Sequence, residues 1–158
     1  MESSSLTRQI FQQLINGISL GSIYALIALG YTMVYGIIRL MNFAHGDIYM
    51  LGAYAGYFAT TYFKMSFFPA LLFSMVVASV VGMLIERLAY RPLRGAPKIA
   101  ILITAIGVSL LLEYGGMILV TPQPRTFPEL FPTATYNFLG LVVNSQQIVI
   151  LVISLALM

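Results

Sequence analysis

Apolar positions in this chain come in long blocks separated by short polar breaks. The first block covers residues 14–38, inside a span read as 10–38, and the second covers 48–63. Two more follow at 68–85 and 99–120, and a last apolar run begins at 148. A helix needs about 20 mostly apolar residues to cross a bilayer, whereas barrel strands alternate over about 10. Continuous blocks therefore predict an all-α, polytopic helix bundle in a membrane, with about four full spans and a truncated fifth. At about 1.5 Å per residue the run 148–158 is too short for a crossing. The chain is thus expected to be the N-terminal part of something longer.

Composition agrees with this pattern. The 158 residues are 59% hydrophobic and 8% charged, with a mean hydropathy of +0.92, against about 25% charged in soluble domains. A net charge of +3 is too thinly spread for a nucleic-acid surface. The absence of cysteine excludes disulfides, thiolate catalysis and Cys-ligated metals. The N-terminal apolar run is longer than the 7–15 residues or so of a signal h-region, so it reads as a retained span.

Between the first two blocks lies the one strongly polar cluster, Asn42-Phe43-Ala44-His45-Gly46-Asp47, preceded by Arg39. Non-helical backbone at membrane depth must be buried in protein or line a watery cavity, and transporters often place their pathways at such breaks. Asn42, His45, Gly46 and Asp47 are therefore candidates for a translocation pathway, with closure of the break the favoured role. Gly46 is expected to supply the turn geometry and Asp47 the N-cap of the next helix. Glu113, inside the fourth span, is a further pathway candidate, expected in an internal pair or an outer vestibule, because a charge in lipid is costly.

Small residues predict close helix packing. Gly17 and Gly21 lie four apart in the first span, with Asn16, Ser19 and Ser22 near the same face and able to bond to a neighbour. Gly52 and Gly56 repeat the spacing in the second, and Gly82 extends a small face of Ala78 and Ser79 in the third. Tyr57, Phe58, Tyr62 and Phe63 mark an interfacial aromatic belt, and Pro69 falls in a helix's first turn. Residues 86–98 form a loop carrying Glu86, Arg87, Arg91, Arg94 and Lys98, shaped by Pro92 and Pro97. Short loops rich in Lys and Arg stay cytoplasmic, which places the break inside, Lys64 outside and the N-terminus outside. Arg8 is a mild exception. Residues 121–147 read as an external loop with room for one short helix.

No G-x-x-x-x-G-K-[ST] phosphate loop, H-E-x-x-H or G-x-S-x-G occurs, so no enzymatic role is read from the chain. The run from Gly21 to Gly36 (GSIYALIALGYTMVYG), followed by Asn42–Asp47 and Met50-Leu51-Gly52-Ala53-Tyr54, resembles the N-terminal half of LivH-type permeases of bacterial branched-chain amino acid ABC importers. Glu86-Arg87-Leu88-Ala89-Tyr90-Arg91-Pro92-Leu93-Arg94 and Ile103–Ser109 resemble that family's next blocks. The resemblance implies that residues 1–158 are the N-terminal part of one importer permease domain in the bacterial inner membrane. It also implies no cofactor in this chain, with ATP and Mg on two cytoplasmic ATPase subunits. The other partners it implies are a second related permease and a periplasmic substrate-binding protein. Leucine, isoleucine and valine are the implied solutes. Relatives for urea, short amides or other amino acids are the alternative, as is a passive small-solute channel.

Overall fold

The computed structural model describes residues 2–138 and 140–158, with side chains of residues 2–4 left aside. Five α-helices follow in order: α1 (Glu2–Ile38), α2 (His45–Thr61), α3 (Phe67–Ile85), α4 (Lys98–Val120) and α5 (Ser145–Leu157). A π-helical turn, Glu86–Tyr90, and a 3-10 turn, Arg91–Leu93, prolong α3. Two strands, β1 (Thr135–Phe138) and β2 (Leu141–Asn144), precede α5. Among the described residues, three helical stretches are long and apolar enough to cross a membrane: Ser5–Ile38, Phe67–Leu93 and Lys98–Val120. The protein is thus a polytopic helical membrane protein. The second block, read above as a full span, forms a helix of 17 residues, about 25 Å at 1.5 Å per residue against a hydrocarbon core of about 30 Å.

Several boundaries differ from the sequence reading. Helix α1 begins at Glu2 rather than near residue 10, because the polar residues before the apolar block continue the helix. The stretch 86–98, expected as a loop, is largely helical. The Arg91 N–H reaches back to the Glu86 carbonyl, an i→i+5 bond, and Pro92 sits inside a tight 3-10 turn rather than ending the helix. Glu86, Arg87 and Arg91 are therefore on a helical extension, and Lys98 is the first residue of α4. The short helix expected between 121 and 147 is replaced by an antiparallel hairpin, with Thr135 opposite Asn144 and Phe138 opposite Leu141.

The chain divides into two compact units, residues 33–130 and residues 1–32 with 131–158. In the first, α2 and α3 pack antiparallel on their small residues. A Cβ at Gly52 would stand 3.5 Å from the Ala78 Cβ and the Ser74 Oγ, and one at Gly56 would stand 3.7 Å from Ser74 and Phe127. Ser74 donates its hydroxyl proton to the Gly52 carbonyl at 2.5 Å. Gly82, expected on a helix-packing face, has nothing within 4 Å among the described residues. A second cluster joins Tyr90, Ile101 and Ala105, flanked by Leu40, Ile85, Ala89 and Leu93. Large side chains are otherwise exposed along α3 and α4; lipid tails are as apolar as leucine, so such faces carry no penalty in a bilayer.

In the other unit, Gln12 on α1 holds the hairpin by two bonds. Its Nε2 donates to the Val142 carbonyl at 2.7 Å and its Oε1 accepts the Val142 N–H at 2.8 Å. Asn16 accepts from Gln147 at 3.1 Å, while Gln147 also completes a capping box with Asn144 at the start of α5. Gly140 turns the hairpin at φ +85°, where an added Cβ would also meet the Arg8 guanidinium at 3.1 Å. Asn16 thus bonds to a neighbour as expected. Ser19 and Ser22 do not; their hydroxyls bond back to the Ile15 and Ile18 carbonyls of their own helix. Gly17 and Gly21 likewise have open space where close packing was expected.

Candidate functional site: the polar break

The break between α1 and α2 is built on Asn42. Helix α1 stops where Arg39 adopts φ +55°, an uncommon conformation for a side chain other than glycine and one that costs roughly 1–3 kcal/mol. The Asn42 Oδ1 then accepts the Ala44 N–H at 3.1 Å, an Asx turn, and its carbonyl accepts the His45 N–H at 3.2 Å. The same Oδ1 accepts the Tyr90 hydroxyl at 2.6 Å. Both acceptor positions of that oxygen are filled. Ala44, in the middle of the turn, is fully buried.

Asp47 and Gly46 have different places from those expected. The N-cap of α2 is Ala44, without a side-chain cap bond. Gly46 lies within the first helical turn and outside the positive-φ region, so the turn geometry comes from Arg39 instead. Asp47 is third in the helix, where a carboxylate suits the macrodipole, and accepts a hydrogen bond from the Ser109 hydroxyl of α4. One turn further on, Met50 reaches Gly116, where an added Cβ would stand 3.5 Å from its Cε. The break is thereby tied at two points, to the end of the α3 extension through Tyr90 and to α4 through Ser109. His45, half-buried, opens α2 beside them.

Glu113 is not brought to this cluster. It is exposed on α4 and has neither a hydrogen bond nor an ion pair among the described residues, so of the two expected settings, an internal pair or an outer vestibule, the internal pair does not form there. Of the charged residues at 86–98, Arg94 and Glu86 form an exposed ion pair at 2.6 Å. Arg39, Arg94, Lys98 and Glu86 line a cleft of about 600 Å³ together with Tyr90 and Ile101.

The other end of α2 carries aromatic rings. Tyr57 and Phe58 meet edge to face at 5.7 Å, Phe58 and Tyr62 lie 5.5 Å apart, and Phe127 approaches Tyr57 at 6.2 Å. The Arg125 guanidinium sits 5.7 Å above Tyr57 and 5.9 Å above Phe58. The neighbouring Tyr57 hydroxyl raises the Arg125 pKa above its already high value.

With this geometry in place, the comparisons with known proteins are specific. The profile of the family described as branched-chain amino acid transport system / permease component matches residues 13–158. This chain belongs to that permease family. It is 42% identical over 162 residues to the high-affinity branched-chain amino acid transport system permease protein BraD of Pseudomonas aeruginosa. It is 37% identical over 160 residues to LivH, the permease protein of the same name in Escherichia coli K12, and 36% identical to LivH of Salmonella typhimurium. Each alignment covers 93% of this chain and 52% of the relative, so the chain spans about half the length of these curated relatives. No solved structure matches.

Within this permease chain, the residues that sequence reasoning missed are Tyr90, Ser109 and Ser74. Tyr90 and Ser109 lie in the blocks that resemble the family, but nothing in their local sequence says that they bond Asn42 and Asp47. Those contacts join positions 48 and 62 residues apart. Only the polar character of Ser109 in an apolar helix was a signal, and a serine can always bond its own helix instead.

Proposed function

We propose that this chain is a transmembrane permease subunit of an ATP-driven importer that moves leucine, isoleucine and valine across the bacterial inner membrane. The observation that carries this reading is the 36–42% identity, over 93% of the chain, to relatives that bear the name of high-affinity branched-chain amino acid permeases. ATP and Mg belong on two cytoplasmic ATPase subunits, consistent with the missing phosphate loop here. A second related permease would complete the membrane part, and a periplasmic binding protein would deliver the amino acid. The cations Arg87, Arg91, Arg94 and Lys98, clustered at one end of the helices, support a reading with that end inside and the N-terminus outside.

In this reading the break serves to position helices. Asn42 and Asp47 spend their side chains on Ala44, Tyr90 and Ser109, which supports closure of the break over direct contact with substrate. Deleting the gene and following labelled solutes tests the assignment. Saturable uptake of leucine, isoleucine and valine should fall and return with the restored gene, while urea and amide uptake stays unchanged. The reverse pattern would move the chain to the urea or amide branch. Because the chain has no cysteine, Ser5→Cys and Gly95→Cys can each be introduced singly and labelled with an impermeant thiol reagent. Ser5→Cys should react from outside intact spheroplasts and Gly95→Cys only after lysis.

A further inference from the structure

The transport reading leaves the basic cleft at the ends of three helices without a role. Its walls come from the last turn of α1 (Ile37, Ile38) with Arg39 and Leu40, from the α3 extension (Glu86, Tyr90, Arg94), and from the start of α4 (Lys98, Ile101). Each wall belongs to a stretch apolar enough to cross a membrane, and each stretch ends or begins there. The cleft therefore opens at one water–lipid boundary. Its charge is unbalanced, with three cations against the single carboxylate of Glu86, which is already paired with Arg94. Arg39 and Lys98 have no ion-pair partner among the described residues. Lys98 stands at the N-terminal end of α4 with no acidic residue in the first turn, so it faces the positive end of the helix dipole uncompensated. Arg39 lines the same cleft from a residue with a strained backbone, φ +55°. Apolar lining accompanies the cations, and Ile37 is 81% exposed.

We infer that this cleft binds the phosphate headgroup of an anionic phospholipid from the adjoining leaflet, with Arg39 and Lys98 on the phosphate and Ile37 and Ile38 along the first acyl carbons. Fixed cations at the interface attract anionic lipid, and basic pockets between spans take such headgroups. A free phosphate would satisfy the same two cations, but the exposed apolar wall favours the lipid. Bound there, the lipid would bridge the end of α1 and the start of α4 beside the Asn42 turn.

The test is native mass spectrometry of the protein purified from membranes in mild detergent with any subunits that stay attached, titrated with phosphatidylglycerol or phosphatidylcholine. Phosphatidylglycerol should bind saturably and phosphatidylcholine should not. Arg39→Gln and Lys98→Gln should each weaken binding about fivefold, Lys98→Arg should restore it, and Glu86→Gln should tighten it. Lys64→Gln, which removes a cation outside the cleft, should change nothing. If the Arg39 variant fails to fold, Lys98→Gln and Glu86→Gln still decide the matter in opposite directions. Equal retention of both lipids, or binding unmoved by Lys98→Gln and Glu86→Gln, would overturn the inference. So would displacement of the lipid by equimolar inorganic phosphate, which would reassign the cleft to a free anion. An acidic segment of an attached subunit that blocks the lipid would overturn it as well.

Discussion

The two ends of α2 are finished by different chemistry. At its start, directed hydrogen bonds from single side chains hold the turn, with Tyr90 on Asn42 and Ser109 on Asp47. At its finish, rings and a cation pack by shape, with Phe127 and Arg125 laid against Tyr57 and Phe58. The first kind of joint has one geometry and loses most of its energy when one partner is removed. The second tolerates sliding, because ring contacts have broad minima and exposed cation–π pairs are weak. Between them, the helix is held by the close approach of Gly52 and Gly56 to α3. A precise joint at the break and a looser one at the aromatic end would let α2 pivot about its first turn.

The comparison can be broken most severely in the middle. Gly52→Leu should force α2 from Ser74 and Ala78, at a cost of about 3 kcal/mol, and lower the thermal unfolding midpoint in detergent. Gly17→Leu, with open space around it, should leave the midpoint unchanged. If both are silent, the glycine contact does not hold the pair. Next in size is Ser109→Ala, which removes the donor to the Asp47 carboxylate and should cost about 2 kcal/mol, as for hydrogen bonds to charged groups. In the transport complex, Asp47→Asn should preserve uptake, since an amide oxygen can still accept from Ser109; a large loss would mean that the charge itself is used. Tyr90→Phe should cost about 1 kcal/mol, because the Asn42 oxygen keeps its bond to Ala44. Smallest of all, Arg125→Ala at the exposed aromatic end should leave the midpoint unmoved. A loss larger than that of Tyr90→Phe would reverse the contrast between the two joints.

Much of the architecture could be read from residue order. The apolar blocks located the membrane-spanning stretches, and Pro69 fell in the first turn of α3 as read. The break itself was visible because the run Asn42 to Asp47 separates two apolar blocks of sequence. Membrane helices are legible in this way because their length and apolarity are imposed by the bilayer, not by neighbours. The interior of the break was less so. Asp47 looked like an N-cap and proved to be a bridge to α4, and Gly46 looked like the turn residue while Arg39 adopts the positive φ.

What residue order alone determined here is where helices run, where they are interrupted, and which interruption carries polar chemistry. Hydrophobicity and helix period are local quantities, and each block reports its own. Tertiary structure decided which glycines meet a neighbour, which hydroxyls bond across rather than back, and which cations share a cleft. Gly17, Gly21 and Gly82 have the same chemistry as Gly52 and Gly56, yet only the latter pair lies against another helix. Ser22 and Ser109 are both helical serines, but only Ser109 has a carboxylate in reach. The difference lies in what stands opposite each residue, and that is set by how the helices cross.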